Sequence, residues 1–277
     1  MYLRFHTIVK RCCIGIIGLF LISFTIFAEE MNFPFTPGEK LTYELRWQNI
    51  PAGEAVLEVM PVEAMQEIRS FHFVLTVKTT RFIDTFYKVR DRIDAWADVQ
   101  MNQSVFFKQK QREGGYKKDA TVAFDREKNE VRYVKRGKLS KRIDLLPGSF
   151  DPLSAFYFTR VQEMVMGQTI ERPVSDGKKT VIGKVRVVAR ETITVKGKKF
   201  DTYLIEPDLK DVGGVFKKSK NAKIQLWLSA DHKKIPIRIK SKVVVGSFVG
   251  ELISEEGTVS GEGSAATQMP AVMANEQ

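Results

Sequence analysis

Cysteine is nearly missing from this chain. The 277 residues hold two, Cys12 and Cys13, and both fall in the opening segment. The rest of the sequence therefore has no means of forming a disulfide, a thiolate metal site or a cysteine nucleophile. Histidine is almost as scarce: beyond His6 there are only His72 and His232. Two histidines without cysteine make a poor structural zinc site. No Gly-rich phosphate loop and no nucleophile elbow occurs. Metal, cofactor and catalytic residues are accordingly all expected to be none. A sugar-cleaving pair of carboxylates leaves no sequence signature, so hydrolysis of an envelope polymer stays open as the weaker alternative.

Long apolar runs are confined to the start. Arg4, Lys10 and Arg11 precede an uncharged stretch from Cys12 to Phe27, and Ala28 is followed by Glu29 and Glu30. This is the order of a secretory signal peptide, residues 1–28. It predicts a periplasmic protein, or an inner-membrane anchored one if the leader is retained, with membrane contact through that leader. Cys12 and Cys13 stand at the wrong end of the run for lipidation. Without the leader's three basic residues the net charge falls from +11 to +8.

The basic excess gathers in 126–142, REKNEVRYVKRGKLSKR, with eight Lys or Arg against two Glu. Arg132, Lys135, Arg136, Lys138, Lys141 and Arg142 form a candidate surface patch. Such a stripe suits anionic lipid headgroups, or it is a solvated strand edge whose lysines block edge-to-edge pairing. Export and the lack of a binding motif argue against nucleic acid.

Apolar–polar alternation dominates the chain beyond the leader. Leu41, Tyr43, Leu45 and Trp47 alternate with polar neighbours, and Phe71, Phe73, Leu75 and Val77 repeat the pattern. Period two means strands with one buried face. Turns are expected at IPAGEA with Gly53, at Gly114-Gly115, at SDGK and at KGKK. Strands are expected near 55–60, 84–98, 104–112, 116–124, 168–174, 180–195, 200–206 and 223–229, with 235–253 one long or paired strand. A polar loop covers 208–221. The domain runs over 29–253, and 254–277 has the composition of a disordered tail.

One stretch departs from this pattern. DPLSAFYFTR, 151–160, begins with an N-cap and an N1 proline. Leu153, Phe156, Tyr157, Val161 and Met164 come after it at helical spacing, and Gly167 is a stop. A helix is predicted over 152–166.

PGEKLTYELRWQNIPAGEAVLEV at 37–59, DPLSAFYFTR at 151–160 and LWLSADHKKIPIRIKSKVVVGSFVGEL at 226–252 together resemble the domain of unknown function 3108 family of exported bacterial proteins. The resemblance implies an envelope location and one β-rich domain of this length, and it carries over no catalytic residue. As architecture, the pattern is also similar to periplasmic lipoprotein carriers, half-open β-barrels with helices over an apolar hollow. This chain offers one clear helix where those have several.

A dozen strands at about 4.8 Å spacing make a sheet approaching 60 Å wide. A 15-residue helix is only about 22 Å long and cannot cover it. The expected fold is therefore all-β and mainly antiparallel, a strongly curved sheet or incomplete β-barrel with one main helix in its hollow. That helix is either an ordinary core plug or an incomplete one. If incomplete, it leaves an apolar groove that Trp47, Phe71, Phe73, Phe156 and Trp227 are expected to line. The function this implies is noncatalytic: binding or carrying a lipid or other amphipathic envelope molecule. The alternative is an envelope structural or assembly factor that binds a protein or polysaccharide through the sheet edge and basic stripe. His72 is expected on the wet face beside Phe71 and Phe73, and His232 in a surface turn after Asp231. Asp91, Asp94 and Asp98, which cluster in sequence with Asp84, are expected as strand and turn solvation, Asp84 aside.

Overall fold

The computed structural model describes residues 32–210, 222–243 and 246–258. Residues 1–31, which include the expected leader, residues 211–221 of the expected polar loop, residues 244–245 and residues 259–277 lie outside the described residues. The described residues from Phe33 on form one compact unit.

Eight strands step outward from the middle of a single sheet. They are β1 (Lys40–Trp47), β2 (Ile50–Met65), β3 (Ile68–Thr79), β4 (Arg90–Asp98), β5 (Ser104–Glu113), β6 (Tyr116–Asp125), β7 (Glu130–Lys135) and β8 (Lys138–Asp144). A single helical turn, α1 (Arg81–Asp84), interrupts them between β3 and β4. The main helix, α2 (Pro152–Val161), then carries the chain to the opposite edge. Six strands return: β9 (Thr169–Ser175), β10 (Thr180–Val195), β11 (Lys198–Pro207), β12 (Lys223–Ser229), β13 (Pro236–Val243) and β14 (Gly246–Glu256). Strand β14 pairs with β1, so all fourteen strands form one antiparallel sheet with β8 and β9 at its edges.

Alternation sets the inner face. Leu41, Tyr43, Leu57, Val59, Phe73, Phe107, Val122, Tyr133, Val187 and Leu228 all point into one core. Register shifts interrupt seven of the ladders, among them β1–β2 at Leu45/Arg46, β2–β3 at Met60/Glu63 and β10–β11 at Val187/Ala189. Each shift adds bend and twist, and together they curl the sheet. The curl brings its halves together without closing a barrel. Gly177, in the β9–β10 turn at φ 84°, lies so close to Val122 and Tyr133 that a Cβ there would meet Val122 at 2.7 Å. Ser149 accepts from the Ser104 amide at 3.0 Å, and Phe150 exchanges two backbone bonds with Pro173 and Ser175. Residues 149–150 thus stitch β5 to β9.

Several local expectations need correction. The β1–β2 turn is Gln48-Asn49, both at positive φ as a two-residue type I′ turn requires, and not IPAGEA. Gly53 lies within β2, where a Cβ would come within 2.4 Å of the Lys78 carbonyl oxygen, so it serves close backbone approach. Strand β4 begins at Arg90, because Thr80 caps α1 and the chain loops out before pairing resumes. Helix α2 stops at Val161. Gln162 turns to ψ 150°, which lets Met164 drop into the core, and Gly167 serves a later turn. Strand β14 continues to Glu256, three residues into the segment read as a tail. Ahead of β1, Pro34, Phe35 and Glu39 are buried and Phe33 packs against the core, while Pro37 and Gly38 stay exposed.

Candidate functional site

Helix α2 is fixed at both ends by buried polar groups. Asp151 accepts from the Leu153 and Ser154 amides at 2.9 and 3.0 Å. Its other oxygen accepts from the Ser104 hydroxyl at 2.6 Å, and its own amide donates back to Ser104 at 2.8 Å. Burial pushes the Asp151 carboxyl above the usual carboxylate range, although the bonds from Ser104, Ser154 and Leu153 oppose that rise. At the far end Arg160, wholly buried, donates to Glu39 at 2.6 and 2.9 Å and to the Pro34 and Lys233 carbonyls at 3.1 and 3.0 Å.

Between these anchors the helix has two working faces. Leu153, Tyr157 and Arg160 face the core. The Tyr157 ring stacks on Phe73 with centroids 3.9 Å apart and meets Phe35 edge-on at 5.2 Å. Pro152, Ala155, Phe156 and Thr159 keep i, i+3, i+4, i+7 spacing and form the other stripe, which borders an open groove.

The groove has a volume of about 530 Å³. Its opposite wall comes from successive strands: Ile170 and Val174 of β9, Val181 and Val185 of β10, Ile205 of β11, and Ile224 and Leu226 of β12. Charge is confined to a few groups. The Arg172 guanidinium lies over the Phe158 ring at 4.4 Å. Lys184 pairs with Glu171 at 2.7 Å, and Lys210 with Asp208 at 3.5 Å. An apolar cleft of this size with a few placed polar groups has the character of a small-molecule site. Ile182, at its mouth, is 46% exposed.

The five apolar residues singled out from sequence are not brought together. Phe156 lines the groove. Phe71 and Phe73 are core, because Phe33 and Phe35 from the N-terminal segment pack on them with centroids 5.1–5.4 Å apart. Trp227 is buried next to Arg238 and donates to Glu191 at 2.7 Å. Trp47 is half-exposed at the end of β1. Sequence reasoning missed the wall residues of β9–β12, since their contribution depends on which strands become neighbours.

The basic residues do share one hairpin. Lys135, Arg136, Lys138, Lys141 and Arg142 are exposed along β7, its turn and the edge strand β8. Arg132 is drawn to Asp125 at 3.3 Å and Glu130 at 3.6 Å, and Arg142 lies 3.9 Å from Glu130.

The histidines are apart from the groove. His72 is mostly shielded, which corrects its expected wet position: its ring stacks on Trp96 at 4.3 Å. Its nitrogens lie 3.1 Å from Asp94 and 3.0 Å from Glu63. Burial raises the Asp94 carboxyl, but bonds from His72 and Arg92 outweigh it and hold the group below its ordinary range. Asp231 spends its carboxylate on Ser229 and the Lys233 amide, and His232 beside it is exposed. Asp84 and Asp98 pair with Arg90 and Arg126, and Asp91 accepts from the Arg112 amide. No group of three potential metal ligands exists among the described residues.

The family model described as "Protein of unknown function (DUF3108)" matches residues 42–253. No curated protein matches the chain. Among solved structures, the chain is similar to a β-barrel-like protein of domain of unknown function DUF1849 from Brucella abortus. Identity is 12%, with 79% of this chain and 97% of that one covered, at a TM-score of 0.52. The hypothetical protein CT021 from Chlamydia trachomatis aligns at 8% identity over 87% and 94% of the two chains, with a TM-score of 0.36. A protein with a YmcC-like fold from Bacteroides fragilis aligns at 11% identity over 80% and 97%, with a TM-score of 0.31. The first of these shows a shared fold, and nothing about activity follows from it.

Proposed function

Because the chain belongs to the DUF3108 family, whose description assigns no activity, we propose a role read from its own groove: noncatalytic binding or carriage of an amphipathic, lipid-like molecule in the periplasm. The groove between α2 and β9–β12 carries this reading. Its walls are aliphatic and aromatic, and its charges sit in pairs or over a ring. Burying an acyl chain there contributes about 0.8 kcal/mol per CH₂. The chain's opening segment, with its order of a secretory leader, supports the location.

The open edge strand β8 with its basic hairpin favours a second reading, an envelope assembly factor that binds a protein or polysaccharide. Titration with a fluorescent fatty acid separates the two. Under the first reading the probe binds, and Phe156→Asp and the more exposed Ile182→Asp each weaken it by more than about tenfold. A loss of about 1.4 kcal/mol suffices for that, and an unpaired carboxylate in apolar surroundings costs more. Absence of probe binding, or binding indifferent to both substitutions, removes the first reading.

A further inference from the structure

The β3–β4 connection holds Phe82, Ile83, Phe86 and Tyr87 within a few residues, yet α1 buries none of its residues. Phe82 is 65% exposed, Phe86 75% and Tyr87 51%. A helical turn this short and unburied gains nothing from the core. Polar groups hold it instead. Arg90 grips the Asp84 carboxylate at 2.5 and 3.0 Å, the Thr79 hydroxyl also donates to Asp84, and the Thr80 side chain caps the turn. The Lys88 carbonyl accepts from the Gly114 amide at 2.8 Å, and Tyr87 lies against Gly114 on the neighbouring hairpin. The aromatics are therefore held outward by the fold.

We propose that this tip docks on an anionic membrane surface, with Phe82 and Phe86 entering the headgroup–acyl boundary and Arg81 and Lys88 meeting lipid phosphates. Charge and area both favour this occupant. Asp84 is neutralised by Arg90, while Arg81 and Lys88 are exposed and make no ion pair among the described residues. Three aromatics so exposed offer roughly 400 Å², taking about 200 Å² per ring residue. That is about half of the roughly 800 Å² per partner that a stable protein interface needs, but it suits shallow interfacial insertion beside basic groups. Adjacent hairpin tips add half-exposed Ile50 and Tyr116 and exposed Lys117. In the ladder β3 and β11 run the same way, so the tip after β3 and the groove mouth after β11 lie at the same end of the strands. Docking would turn that mouth toward the bilayer.

Vesicle flotation tests the proposal. The protein should float with vesicles of equal parts phosphatidylcholine and phosphatidylglycerol, and much less with phosphatidylcholine alone. Arg81→Gln and Lys88→Gln should each weaken binding about fivefold, and F82E/F86E together by more than about tenfold. All four positions are exposed, so the thermal midpoints should not move. The fatty-acid affinity of F82E/F86E should also be unchanged, which separates this surface from the groove. Three results each overturn the proposal: no flotation of the wild-type chain, flotation of F82E/F86E at the wild-type level, or equal flotation on both vesicle types.

Discussion

Arg160 and Glu39 form a two-pronged ion pair with both side chains wholly removed from solvent, 121 residues apart in sequence. It ties the C-terminal end of α2 to the segment ahead of β1. The pair sits under the rings of Phe35 and Tyr157, whose centroids are 5.5 and 5.4 Å from the guanidinium carbon. Glu39→Ala leaves a buried cation alone and should cost about 3–5 kcal/mol in urea unfolding, whereas replacing both partners with apolar residues of similar volume should cost far less. Equal losses in the single and double variants would contradict a coupled buried pair.

Asp151 makes a pH-dependent prediction whose sign is opposite to that of a salt-bridged carboxylate. Its folded pKa is raised, chiefly by burial. As pH climbs through the ordinary carboxylate range, the unfolded chain releases this proton first, so stability falls until the folded pKa is passed. Asp151→Asn keeps an acceptor for the Leu153 and Ser154 amides and cannot ionise. The stability of Asp151→Asn relative to wild type should therefore rise with pH across that window. A difference that is flat, or that falls, speaks against a raised pKa. Asp151→Ala, which also loses the cap, should cost about 1 kcal/mol or more at every pH.

Gly177 tests the meeting of the two half-sheets. Alanine there must adopt φ near 84° and press on Val122 and Tyr133. The expected loss exceeds about 1 kcal/mol. Gly137, also at positive φ but with nothing within reach of a Cβ, serves as the control for backbone strain alone. If Gly137→Ala and Gly177→Ala lose the same stability, the contact across the curl contributes nothing.

Strand content was legible because one face of each strand is buried, which writes period two into residues such as 41–47 and 71–77. The Asp151-Pro152 helix start was legible for the same kind of local reason, a cap and a pre-set φ. The helix end was not: Gly167 reads as a stop, but Met164 gains more by entering the core than by extending the helix. Phe33 and Phe35 stand beside Pro34 and Pro37 in a stretch without strand alternation, and only contact with Phe71, Phe73 and Tyr157 ties them to the core. The groove was half legible. Phe156 could be picked from the aromatic helix, but Ile170, Ile205 and Leu226 are ordinary strand residues until topology sets β9–β12 beside it. Phe71, Phe73 and Trp227 are conspicuous by type, and type alone does not separate a core ring from a lining one.

Occupation of the α2 groove by an amphipathic molecule is tested most directly by native mass spectrometry. The chain is purified from its own envelope fraction and set beside Ile182→Asp prepared in the same way. The expected result is a bound species of lipid mass on the wild-type chain that is lost from Ile182→Asp, with the two proteins equally folded. A wild-type chain that emerges at its bare polypeptide mass, or an adduct retained undiminished by Ile182→Asp, would contradict it.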